Sequence, residues 1–298
     1  MKSLKYNLSL LIANALFALN FSLFVSVMES KLLSIDAIYL LESLGLLFVT
    51  TTLRIYRREA SPPIQLSDTI IITLTSILST LGWSYATLWG MSLTSPIDAA
   101  TIASVGPSLT LLFAHFMGRR SLTGVRIAGL VISLMGVVIL VISHPSGVVS
   151  TQANRGNLLL LCAVIIAAIN TLIFKPQLER YGVIRVAHIY AIAAAAINLP
   201  LFAKSLGQLI TLSVSWVAAT ELTLLLLIGC ALPLLLLFEG TEYLSALHTS
   251  LYRYTQPLIA AIVVLSRGQA TLTAANIVAM VVLIAGGILV AQGVDRSD

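Results

Sequence analysis

The sequence predicts an all-α membrane protein: ten transmembrane helices forming two inverted five-helix repeats, with both termini cytoplasmic. Three observations carry this expectation. The composition is too apolar for a soluble fold, the cations gather in alternate connections, and residues recur at an offset of 150. Residues of the AVILMFWYC set make up 58% of the 298, and charged residues only 10%, where a soluble domain carries about 25%. Long uncharged runs recur from Asn7 to Ala291, so the apolar residues do not belong to a single buried core. A net charge of +5 does not indicate a nucleic-acid partner, because the cations sit in short connections and do not form a basic patch.

A hydrocarbon core about 30 Å thick needs about 20 apolar residues per helix. This places spans near residues 7–28, 36–53, 68–89, 96–116 and 122–142, and again near 157–174, 186–202, 221–242, 246–265 and 274–291. The basic start MKSLKYN resembles a signal peptide's, but the apolar stretch after it is too long for one and no A-x-A site follows, so it reads as a retained first span. The longest connections surround HPSGVVSTQANR and run from Lys204 to about Ala218, leaving no room for an inserted soluble domain. Cys162 and Cys230 lie in apolar runs without a CxxC or Cys/His pattern and read as small packing residues.

Orientation follows from the cations. With a cytoplasmic N-terminus, the inner segments hold Lys2, Lys5, Arg54, Arg57, Arg58, Arg119, Arg120, Arg126, Lys175, Arg180, Arg185 and Arg296. The outer segments hold Lys31, Arg155, Lys204 and Arg267, and Arg253 alone lies within a span. The repeat is visible in Asn7 and Asn157, Asn20 and Asn170, Gly90 and Gly240, Pro107 and Pro257, Gly118 and Gly268, and Gly136 and Gly286. The repeats occupy residues 1–146 and 156–298. An odd number of spans per repeat inverts the second copy relative to the first, an architecture that recurs among secondary transporters.

SPIDAATIASVGPSLTLLFAHFMGRRSLTGVRIAGLVISLMGVVILV resembles the end of an EamA repeat of the drug/metabolite transporter superfamily, and SALHTSLYRYTQPLIAAIVVLSRGQATLTAANIVAMVVLIAGGILVAQ is similar to the second copy. The resemblance implies two five-span repeats covering essentially the whole chain. The family's Gly-Glu turn is replaced by GRR at Gly118 to Arg120 and by RGQ at Arg267 to Gln269. The acidic residue is missing from both copies.

Pro107 and Pro257 lie mid-span, where proline frees the carbonyl four residues earlier, at Ala103 and Arg253; paired interruptions point to a binding region. Arg253 is expected to form an ion pair with Glu239 in the resting state, with snorkelling to the interface as the plainer alternative, and it is a candidate for binding a substrate carboxylate or phosphate that competes with Glu239. The same span carries His248, Tyr252 and Gln256 at four-residue steps, so one of its faces is a polar and aromatic stripe. Asn20 and Asn170, Trp83 and Tyr85 are further candidate substrate contacts. Glu42, Glu239 and His248 are candidates for gating or proton coupling. For Asp98, three residues after Ser95 and preceded by Pro96, a helix-capping role is the simpler reading.

Motifs for metallohydrolases, serine hydrolases, nucleotide binding and metal ligation are absent, and no cofactor is expected. The reading is a non-enzymatic secondary transporter of small organic metabolites in the cytoplasmic membrane, alternating access around a central cavity between the repeats. Its partners are a small organic solute and the lipid bilayer, with no nucleic acid; oligomeric state stays open, a homodimer included. The alternative is a membrane-embedded enzyme acting on a lipid-linked substrate through Glu42, His188 or Arg253.

Overall fold

The structure, a computed structural model, describes residues 2–57, 63–142, 148–210, 215–269 and 271–292. Arg58, Arg296 and the boundary near residue 146 lie outside them. The described residues form helical rods only. These are α1 Lys2–Glu29, α2 Ile35–Arg57, α3 Leu66–Leu93, α4 Pro96–Phe116, α5 Gly124–Ile142, α6 Val148–Tyr181, α7 Val183–Leu201 and α8 Trp216–Tyr243. Then α9 covers residues 246–266 in three pieces, and α10 is Ala274–Ala291. Eight rods are long and apolar enough to cross a membrane; the apolar stretch of α5 is shorter, and α9 is interrupted.

Helix ends follow local chemistry. Ser95 and Ser245 accept the backbone N–H groups of Asp98 and His248, so equivalent caps open α4 and α9. Asp98 therefore belongs to a capped first turn, as its spacing from Ser95 indicated. At the far ends, Gly118 and Gly268 adopt φ near +67° and +66°. In each case the next residue's N–H reaches back to a carbonyl five residues earlier, closing the helix at a position glycine suits.

Two connections differ from expectation. The helix α6 runs for 34 residues and takes up most of the segment around HPSGVVSTQANR, because nothing between Val148 and Gly182 stops it; even Pro176 is accommodated. Beyond α7 the chain is helical too, with a 3-10 turn at Ala203–Ser205 and a short helix at Leu206–Ile210.

Packing divides the chain into two compact units that are not the sequence repeats. One unit contains Met1–Leu81 and Ile173–Tyr243; the other contains Gly82–Leu172 and Leu244–Asp298. The chain passes between them inside α3, inside α6 and between α8 and α9. In the first unit, Gly240 of α8 lies under Leu10 of α1, so close that a Cβ at Gly240 would stand 2.2 Å from the leucine. Phe174, Tyr190 and Phe238 form an aromatic cluster with centroids 5.5–6.3 Å apart, and Asp68 accepts from Arg180 at 2.7 Å and from the Tyr181 hydroxyl.

In the second unit, Gly129 meets Gly286 and Gly136 meets Ala279, so backbones touch where α5 and α10 cross. As the number rises along α5 it falls along α10, so the two helices are antiparallel. Ile97 packs with Ala261, and Leu111 with Leu247, so α4 and α9 are antiparallel as well. Each pair of contacts maps onto itself when equivalent residues of the two repeats are exchanged. The contact of Leu10 with Gly240 likewise has its equivalent here, Gly90 under Leu160.

Candidate functional site at the interrupted helices

Proline at 107 withholds the N–H that would bind the carbonyl of Ala103. Around this position α4 breaks into Pro96–Ala103 and Gly106–Phe116, with Ser104 and Val105 in a tight turn near φ −78° and −74°. Proline at 257 does the same to α9, which answers with a 3-10 turn over Tyr252–Thr255 between Ala246–Leu251 and Gln256–Ser266. The carbonyl of Arg253 is recovered there by the N–H of Gln256. The paired prolines thus produce two interruptions of different geometry, and both belong to the second unit.

Arg253 fills the space over the α4 break. A Cβ at Gly106 would stand 2.9 Å from its Cδ and 3.2 Å from one guanidinium nitrogen, so a larger residue there would have to push the arginine aside. The side chain is 8% exposed, and among the described residues no carboxylate pairs with it. The expected ion pair with Glu239 is not formed: Glu239 accepts from Lys5 at 2.7 Å and from Ser9 at 3.0 Å, both on α1. These partners sit one and two turns along the adjacent α1 helix, so the carboxylate is satisfied inside the first unit.

Tyr254, which the sequence reading passed over, lies against Gly287 of α10 and shares a hydrogen bond of 3.2 Å with Ser108 of α4. His248 and Tyr252 pair their rings 5.9 Å apart, and Gln256 is buried. Arg253, Gly106 and Pro107 are therefore brought together, with Tyr254, Ser108 and Pro257 holding the turn.

The other predicted residues are dispersed. Trp83 and Tyr85 are half-buried in a π-helical stretch of α3, Ser79–Tyr85, where Tyr85 packs edge-on to Trp89. Asn170 on α6 is buried with neither amide atom hydrogen-bonded. Its repeat counterpart Asn20 lies in the first unit, its Oδ1 also without a partner and pressed against Gly229. Glu42, also in the first unit, is 7% exposed with an unbonded carboxyl oxygen. His188 belongs to that unit and lies 3.5 Å from Thr50. Glu42 and His188 thus fall in one unit and Arg253 in the other, and no group of three His, Cys, Asp or Glu able to hold a metal occurs among the described residues.

The π-helical stretches went unread in the sequence. Ser79–Tyr85 in α3 and Leu225–Ala231 in α8 occupy the third helix of each repeat, each seven residues long. Such stretches frequently mark functional sites, and Gly229, which receives Asn20, is inside the second one.

Comparison with known proteins agrees with this duplicated plan. A protein of known crystal structure superposes on 98% of this chain and 98% of its own at a TM-score of 0.66, with 17% identity, which establishes a shared fold. A search of curated proteins finds no match. The model of the EamA-like transporter family matches residues 4–142 and again 154–292. With both halves matched and equivalent helices interrupted at equivalent prolines, the chain belongs to the EamA-like transporter family, membrane transporters of the drug/metabolite superfamily.

Proposed function

We propose that this chain is a secondary transporter of small organic metabolites, crossing the cytoplasmic membrane ten times with both termini inside, and that it binds an anionic group of its substrate at Arg253. The observation that carries the reading is the buried guanidinium over Gly106, without a counter-ion among the described residues. A charge inside a membrane protein is costly unless paired, and a carboxylate or phosphate on the substrate supplies the missing partner. The antiparallel pairs α4 with α9 and α5 with α10 support inverted repeats, since a two-fold axis in the membrane plane generates such pairs. α5 and the interrupted α9 bring the spans to ten. Flexing at the two breaks alternates access to the site, and Glu42 is the group to which proton coupling is assigned.

Purified protein in proteoliposomes tests this by uptake of radiolabelled dicarboxylates, amino acids, sugar phosphates, nucleosides and cationic drugs. The reading expects saturable flux of a carboxylate or phosphate compound, inhibited by other anions; flux confined to cationic drugs, or none across the panel, contradicts it. Sidedness is read separately in a background lacking Cys162 and Cys230. An impermeant thiol reagent added to intact cells labels Lys204→Cys and spares Tyr56→Cys; the reverse pattern inverts the topology.

A further inference from the structure

The GRR turn after α4 plays no part in the proposed site, yet it brings three arginines to one cavity. Arg119, Arg120 and Arg126 line a cavity of about 710 Å³ together with Ser121, Thr123 and Gln292. Among the described residues, those that line it include no carboxylate. The arginines are anchored by backbone: Arg119 donates to the carbonyl of Leu172 at 2.8 Å, and Arg126 donates to those of Ser121 at 3.1 Å and Gln292 at 3.3 Å. Arg126 is 6% exposed, so its charge is built into the wall of the cavity.

The 19-residue helix α5 begins at this cavity, with Thr123 capping the N–H of Arg126. Its N-terminal dipole adds to the positive field. The equivalent turn of the second repeat is built differently. Asn276 stands where Arg126 does and turns inward to Asp98 at 2.6 Å, while Gln269 replaces Arg119. Only the first copy assembles three guanidinium groups.

We propose that this cavity binds the phosphate of an anionic phospholipid headgroup. Its chemistry is that of phosphate recognition, arginine with a helix N-terminus. What favours a lipid over a free phosphate is the apolar surface beside it: Phe116, Met117 and Val125 are exposed next to the arginines, where acyl chains would cover them. Basic sites at helix ends are a recurrent form of lipid recognition.

The test titrates detergent-purified protein with short-chain phosphatidylglycerol, short-chain phosphatidylcholine and inorganic phosphate, following lipid adducts by native mass spectrometry and apparent Tm. The wild type should prefer phosphatidylglycerol over phosphatidylcholine by about tenfold, the scale of one charge-assisted contact. Arg119→Gln/Arg120→Gln should lose that preference, while Arg54→Gln/Arg57→Gln, which removes the same charge from the end of α2, should keep it. Should the first double variant fail to fold, the exposed Arg119→Gln alone must still weaken the preference. Equal losses in both double variants would reduce the effect to net charge. Inorganic phosphate binding as tightly as phosphatidylglycerol would make the cavity a soluble-anion site, and no lipid preference at all would overturn the proposal.

Discussion

At the break of α4 stand Ala103, Ser104, Gly106 and Ser108; at the equivalent positions of α9 stand Arg253, Tyr254, Gln256 and Leu258. The same proline follows in each. Small residues on α4 leave a hollow at the turn, and the large ones on α9 occupy it: Arg253 over Gly106, and the Tyr254 hydroxyl beside Ser108. Duplication has kept the interruption in both helices while separating their tasks. One supplies the seat, the other the charge.

The largest effect expected from disturbing this arrangement is on stability. Gly287→Ala sets a methyl group 2.4–2.6 Å from three atoms of the Tyr254 ring, and a ring held at its hydroxyl cannot yield, so a loss of about 3 kcal/mol is expected. Gly106→Ala meets the flexible arm of Arg253 instead and should cost about 1 kcal/mol while displacing the guanidinium. Denaturation of both variants measures the contrast, and equal costs would mean that the arginine is packed as rigidly as the tyrosine.

Exchanging the prolines probes function. In Pro257→Ala the restored N–H competes for the Arg253 carbonyl that Gln256 now holds, drawing the 3-10 turn toward α-helix and re-aiming Arg253. Transport per folded molecule should fall about tenfold, with a smaller loss for Pro107→Ala, because α4 presents no charge at its break. Equal losses from the two would show that the breaks act as equivalent hinges.

The smallest effect belongs to the hydrogen bond between the two turns. Tyr254→Phe and Ser108→Ala should each cost about 1 kcal/mol, and the double variant little more than either single one. Strict additivity would mean that the hydroxyls do not depend on each other.

Much of the fold was legible in the sequence. The bounds of α10 were readable from its apolar run, and the matched ends of α4 and α9 from Ser95 with Pro96, Ser245, Gly118 and Gly268, because caps and glycine turns are local chemistry. The prolines marked the breaks, but not their geometries, which depend on what packs against each turn. Glu239 was paired with Arg253 on reach alone. Its actual partners, Lys5 and Ser9, are more than 200 residues away in sequence, and only tertiary packing brings them near. The π-helical stretches stayed hidden because an extra residue in a turn leaves no mark in a uniformly apolar run. The compact units were also invisible, since each draws on both repeats and repeat boundaries say nothing of which helices pack together.

Arg253→Gln tests the central claim most directly, because stability and substrate affinity should move apart. If the guanidinium awaits an anionic substrate, its neutral replacement folds to the same yield and resists heat at least as well as the wild type, having shed an uncompensated buried charge. Affinity for the transported carboxylate or phosphate compound then drops by about tenfold to a hundredfold, as expected for losing a buried charge-assisted contact. Thermal unfolding with and without that compound reads both quantities in one experiment. A protein that loses stability yet keeps its affinity would place Arg253 in the scaffold and contradict the assignment of the anion site to the interruption of α9.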